Sequence, residues 1–113
     1  MILTIDRSLA FPVVKLTGDW RSTDGGDYLE TLHGLVAEPG SCLAIDMSGL
    51  KMLDSSGLSV LINLVTRARL SRSRVVLVAP TPFVSGVFEV THLDRWFDLC
   101  EDLPQAARVL EGT

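Results

Sequence analysis

The chemistry-bearing residues of this chain concentrate in one hexapeptide, Leu53-Asp54-Ser55-Ser56-Gly57-Leu58. A carboxylate, two hydroxyls and a glycine stand together there, and four chemistries fit those types. The first is nucleophilic attack by Ser55. A nucleophile elbow needs glycine two residues before and two after the serine. Gly57 meets the second condition, but Leu53 occupies the first position, and His33 and His92 are the only histidines to act as base. Half a motif makes a hydrolase the last reading. The second is a phosphate cradle. Neither GxxxxGK[ST] nor GxGxxG occurs, so only the general anion affinity of a helix N-terminus remains. The third is helix capping by Asp54, Ser55 or Ser56, worth about 1 kcal/mol. A cap needs one residue, and three are present. The fourth is a serine that another enzyme modifies. A phosphate at a helix start adds a charge of about −1.5 to −2 facing the positive end of the helix dipole. It would repel a partner docked on the same spot. Gly57, without a side chain, would let a kinase approach the backbone closely.

The elements that must position this hexapeptide follow from pattern. The segments "MILTID" and "PVVKLTG" read as two strands joined closely enough to form an antiparallel hairpin. "STDGGDYLETLHGLVAE" reads as a helix with Leu29, Leu32, Leu35 and Val36 at helical spacing, Asp24 or Asp27 near its start, and Pro39-Gly40 after its end. "CLAID" is a continuous apolar run, the type buried on both faces. Asp46-Met47-Ser48-Gly49 then fits a type I turn, with Asp first and Gly fourth. A helix is expected from about Ser56 to Leu70, a buried strand over "RVVLVAP", and a helix over "PFVSGVFEVTHL". A short strand over "WFDLCE" and a closing helix over "LPQAARVLEG" complete the chain. The order β-β-α-β-α-β-α-β-α predicts one α/β domain spanning residues 1–113. Its sheet is mixed and mainly parallel, with an N-terminal antiparallel hairpin and packed helices.

Composition narrows the function classes. A net charge of −4 disfavours nucleic acid as a direct partner. No apolar run approaches the roughly 20 residues of a membrane helix, and the N-terminus lacks the basic and apolar regions of a signal peptide. A soluble cytoplasmic chain is expected, without membrane insertion. Cys42 and Cys100 match no CxxC pattern and read as reduced thiols, a disulfide between them being the lesser alternative. Two histidines and two cysteines at wide spacing make no metal-ligand pattern, and no cofactor is expected.

The run "CLAIDMSGLKMLDSSGLSVLINLVTRA" resembles the STAS domain, the sulfate-transporter and anti-sigma-factor-antagonist family, and most of all its stand-alone bacterial members. The likeness rests on the apolar strand with Asp46, on Asp54-Ser55-Ser56-Gly57-Leu58 opening a helix, and on "RVVLVAPTPFVSGVFEVTHLDRWFDLCED" as the next strand, helix and strand. "VVKLTGD" is similar to the family's second strand. The resemblance implies a non-enzymatic anti-sigma factor antagonist. Its partner would be an anti-sigma factor serine kinase of the histidine-kinase-like ATPase fold, and binding would free a sigma factor. Phosphorylation of Ser55 would release the antagonist, and a phosphatase would reset it. It further implies a partner surface comprising Asp19, Asp46, Asp54, Ser55, Ser56, Gly57 and Val60. Two departures stand out: Arg21 replaces an acid common in the family, and "STDGGDY" is unusually rich in glycine. Two further readings fit the same fold: a STAS subunit of a membrane transport or signalling complex, and a nucleotide- or small-molecule-sensing domain.

In the helix after the hexapeptide, Leu58, Leu61, Ile62, Val65 and Ala68 form a core face. Val60 and Leu64 flank it, either as the apolar centre of a partner patch or as packing under a neighbouring helix. Arg67, Arg69, Arg72 and Arg74 gather at that helix's end, where cations suit the dipole. Trp20 is expected to pack at a strand end, and Trp96 and Phe97 in the core. His33 and His92 receive no role.

Overall fold

The computed structural model describes residues 1–21 and 27–111, with Asp27 described by its backbone alone. The elements are β1 (Ile2–Asp6), β2 (Val13–Trp20), α1 (Asp27–Leu35), β3 (Cys42–Leu53), α2 (Ser55–Leu70), β4 (Arg74–Val78), α3 (Pro82–Val90), β5 (Asp98–Cys100) and α4 (Leu103–Glu111), with a 3₁₀ turn over Leu93–Arg95. The cap candidate Asp24 and most of the glycine-rich "STDGGDY" lie outside the described residues. The predicted third helix is shorter than its apolar pattern. It stops at Val90, because His92 takes a left-handed conformation at φ 61° before the 3₁₀ turn.

The strands form one sheet in the order β1-β2-β3-β4-β5. β1 and β2 pair antiparallel, and every other pair is parallel. Since β2 to β5 step steadily in one direction, right-handed crossovers carry α1, α2 and α3 to the same face. Leu32, Leu61, Leu64, Val84 and Phe88 accordingly share one core with Val14, Leu16, Ile45 and Leu77. α4 follows the last strand and folds onto the opposite face, where Ala106 and Leu110 meet Val13, Ala44, Val76 and Val78.

The type I turn expected at Asp46-Met47-Ser48-Gly49 does not form. β3 runs unbroken from Cys42 to Leu53. Its pairing with β2 absorbs two extra residues, one between the pairs Lys15–Asp46 and Thr17–Gly49 and one between Gly18–Leu50 and Asp19–Met52. Each bulge changes the inward spacing from two to three. The residues reaching the three-helix core are therefore Leu43, Ile45, Met47, Leu50 and Leu53. Without the bulges Gly49 and Lys51 would take the inward positions and Leu50 would turn to the opposite face. Gly49 marks the first bulge: a Cβ there would stand 2.6 Å from Thr17 Cγ2. Glycine here permits close approach of β2 instead of closing a turn.

The register also separates the cysteines. Cys42 is level with Arg74 and Cys100 with Val78. Four residues of strand, about 13 Å, lie between those levels, well beyond disulfide reach. Both thiols are free.

Candidate functional site

The hexapeptide sits where β3 ends and α2 begins, beside the end of β2. Asp54 supplies the cap. Its Oδ1 accepts the backbone N–H groups of Ser56 at 3.0 Å and Gly57 at 3.1 Å. Its carbonyl accepts Leu58 N–H at 3.0 Å, and its own N–H donates to the Trp20 carbonyl at 3.0 Å. One carboxylate thus satisfies two of the donors that every helix start leaves open. Of the three cap candidates, Ser55 and Ser56 are relieved of the duty. Both are exposed in the first turn of α2.

Gly57 faces the opposite way from the one its sequence position suggested. It is buried, and a Cβ on it would lie 2.6 Å from Leu53 Cδ1 and 2.9 Å from Trp20 Cγ and Cδ2. The missing side chain makes room for Trp20, not for an approaching enzyme. Trp20 is 2% exposed. Its indole packs edge-on against Tyr28 at 6.2 Å between centroids, and the Tyr28 hydroxyl donates to the Met1 carbonyl at 3.0 Å. Ser55 therefore stands on a rigid base assembled from β2, β3 and α1.

The remaining expected site residues divide. Asp19 is level with Met52 near the end of β3, and so belongs to the same edge as Ser55. Arg21 donates to Asp19 Oδ2 at 3.0 Å, so the cation at a position where an acid was expected is paired with the neighbouring acid. Val60 is half-buried and packs on the three-helix core. Leu64 is fully buried, which assigns it to packing and removes it from any partner patch. Asp46 is not gathered with Ser55. It is level with Lys15 and Val78, seven residues before Leu53, or about 20 Å of strand. Its carboxylate is turned to a local task, accepting Ser48 N–H at 3.0 Å. Continuation of β3 past Asp46 is the reason for this separation.

Thr81 escaped the sequence reading. Its hydroxyl caps α3, accepting Val84 N–H at 3.4 Å, and donates to the Leu50 carbonyl at 3.0 Å. The available signal was a threonine directly before Pro82 at a helix start. The bond fastens the start of α3 to the second half of β3.

His33 lies at the other end of α2. It lines an open cavity of about 450 Å³ with Arg67, Leu70 and Ser71. Arg67 is twelve residues along α2 from Ser55, about 18 Å. Burial, and then the Arg67 charge, push the His33 imidazole below its ordinary pKa. A base there is out of reach of Ser55. Among the described residues no group of three or more His, Cys, Asp or Glu is arranged to hold a metal ion, and no helix is long and apolar enough to cross a membrane.

Residues 3–104 match the family described as "Mlab, STAS domain". The fold is similar to an anti-sigma factor antagonist from Mycobacterium paratuberculosis, with a TM-score of 0.84 and 22% identity over 97% of this chain and 93% of that one. It is similar to SpoIIAA in its unphosphorylated form, with a TM-score of 0.80 and 18% identity over 99% of this chain and 98% of that one. It is also similar to the Bacillus cell fate determinant SpoIIAA in the phosphorylated form, with a TM-score of 0.74 and 16% identity over 96% of this chain and 99% of that one.

Proposed function

The chain belongs to the STAS domain family, and from that premise we propose that it is an anti-sigma factor antagonist whose binding is switched at Ser55. The observation that carries this reading is the division of labour at the start of α2. Asp54 does the capping, so the Ser55 hydroxyl is exposed and has no structural duty as a cap. In the unphosphorylated form the surface around Ser55, Ser56 and Asp19 docks on an anti-sigma factor serine kinase of the histidine-kinase-like ATPase fold, and a sigma factor is released. The kinase then transfers the γ-phosphoryl group of ATP to Ser55 Oγ: the new O–P bond forms, the bond to ADP breaks and the hydroxyl proton leaves. The chain contributes a positioned acceptor and no catalytic group.

The physics of the switch is local. The helix dipole favours the added charge, and the site is exposed, so the fold tolerates phosphate. Docking does not, because a doubly charged group beside Asp54 has to be desolvated against the partner. SpoIIAA, which shares the fold, has been solved in both phosphorylated and unphosphorylated forms. This supports a fold that survives the modification.

The test is retention of host proteins by three baits: the wild-type chain, Ser55→Ala and Ser55→Asp. The expected result is one soluble kinase retained by the first two and lost from the third. Equal retention by all three would reduce Ser55 to an ordinary surface residue. Retention of membrane components alone would replace the kinase reading with a subunit of a membrane complex.

A further inference from the structure

An ion pair sits at the edge of the sheet beside Ser55. Arg21 Nη2 donates to Asp19 Oδ2 at 3.0 Å, and the two side chains are 54% and 41% exposed. Register places this pair next to the hexapeptide. Trp20 is the partner of Leu53 in the β2–β3 ladder, and the Asp54 N–H bonds the Trp20 carbonyl at 3.0 Å. Arg21 is therefore level with Asp54. Neighbouring strands lie about 5 Å apart and successive Cα atoms about 3.8 Å, which puts the Arg21 and Ser55 Cα atoms within about 9 Å of each other. Both residues are exposed. A guanidinium on its long flexible stem and a phosphate on a serine can meet across that gap.

We infer that phosphorylation of Ser55 exchanges this ion pair: Arg21 leaves Asp19 and takes the phosphate. The inference rests on Ser55 being the modified residue. Charge sets its direction. The Asp19 carboxylate offers Arg21 a single negative charge. A phosphate offers nearly twice that, on three strong acceptor oxygens that suit bidentate binding by a guanidinium. The existing pair is cheap to break, because exposed ion pairs contribute little to stability. The move also needs no change of fold. Arg21 lies just past the last residue of β2, so rotation of its exposed side chain is enough. The exchange gives the switch a second component. In the unmodified chain Arg21 neutralises Asp19, and the two present no net charge to a partner. Once Arg21 has moved, Asp19 stands uncompensated, and negative charge then opposes docking at two points of the surface instead of one.

The test uses the full chain with phosphoserine built in at position 55 during synthesis, so that no kinase is needed. Phosphorus NMR follows the phosphate through its second ionisation, which lies near pH 6 in an unperturbed phosphoserine. With Arg21 present that ionisation is expected about half a pH unit or more below its value in Arg21→Gln, because an adjacent cation favours the doubly charged form. The difference should survive in about 0.5 M salt, which screens separated charges far more than a direct contact. Equal ionisation with and without Arg21 overturns the exchange. So does a difference that disappears in salt, since that would be the field of an arginine still held by Asp19. Either result would leave Ser55 standing as a switch that acts through its phosphate alone. Conversely, equal retention by the three baits would remove the switch without altering this titration, so the two readings fail separately.

Discussion

Both ends of α2 carry a pair of serines, and the fold uses the two pairs in opposite ways. At the start, Ser55 and Ser56 are exposed while Asp54 satisfies the open N–H groups. Past the end, the backbone N–H groups of Ser71, Arg72 and Ser73 reach the carbonyls of Arg67, Arg69 and Ala68, and the serine hydroxyls add further bonds to backbone carbonyls. Ser71 Oγ lies 3.0 Å from the Val36 carbonyl and 3.1 Å from that of Arg67. Ser73 Oγ lies 2.9 Å from the Glu38 carbonyl and is only 8% exposed. Arg67 and Arg69 occupy the last turn, where cations suit the dipole. The lesson is that a serine at a helix end is free for chemistry only when another residue has already satisfied the backbone. Asp54 does so at one end. At the other, the Ser71 and Ser73 hydroxyls are themselves engaged by backbone carbonyls.

The contrast breaks first at its foundation. Gly57→Ala should cost about 1–3 kcal/mol, because the new methyl must displace Leu53 or the Trp20 ring. An exposed helical glycine would instead be stabilised by the same change. Denaturant midpoints distinguish the two outcomes, and a gain in stability would mean that Trp20 does not pack beneath α2. The serine pairs themselves provide the next comparison. Ser73→Ala should cost about 1 kcal/mol, since it removes the bond of a buried hydroxyl to the backbone, although the Val36 and Glu38 carbonyls keep Ser71 and Ser41 as donors. Ser55→Ala should stay within about 0.5 kcal/mol, as for an exposed residue without a structural partner. Equal costs would erase the distinction between the two ends.

The smallest effect is a pH dependence at the C-terminal end. Burial first, and Arg67 second, lower the His33 pKa in the fold. Below about pH 6.5 the unfolded chain then binds the proton more readily than the folded one. Stability therefore falls as the solution is acidified through that value, and the loss levels off once the pH is below the folded pKa. His33→Gln should remove this component of the slope, whereas Ser55→Ala should leave it intact. Urea midpoints between about pH 5 and about pH 8 check it, and identical slopes for wild type and His33→Gln would show that His33 titrates as it does in the unfolded chain.

Much of the fold was legible because it is written in local signals. The β1–β2 hairpin, the run of parallel strands and the extent of α2 follow from apolar periodicity and helix-end residues. β3 was not legible beyond Asp46. Asp-Met-Ser-Gly is a good turn sequence in isolation, but pairing to β2 on one side and β4 on the other outweighs local turn preference. Two bulges then hide the strand's period of two behind spacings of three. Asp46 entered the candidate site through the family resemblance, as the acid ending the apolar strand, and the continuation of β3 to Leu53 sets it apart from Ser55. Leu64 failed as a partner residue for a related reason: periodicity places it at the margin of the core stripe, and only the packing of α2 decides that the margin is covered.

The sequence by itself determined that the hexapeptide opens a helix after a strand, that one of three side chains caps it, and that at least one hydroxyl is left over. These are properties of nearest neighbours along the chain, where backbone groups and side chains meet at fixed spacing. Tertiary structure alone decided the rest. It chose Asp54 as the cap, through the bond of its N–H to the Trp20 carbonyl. It turned Gly57 inward by laying Trp20 under α2. It also set Asp46 some seven residues of strand away from Ser55. Each of those choices depends on which strand lies beside β3 and in what register, and residues distant in sequence fix that register only once the sheet is assembled.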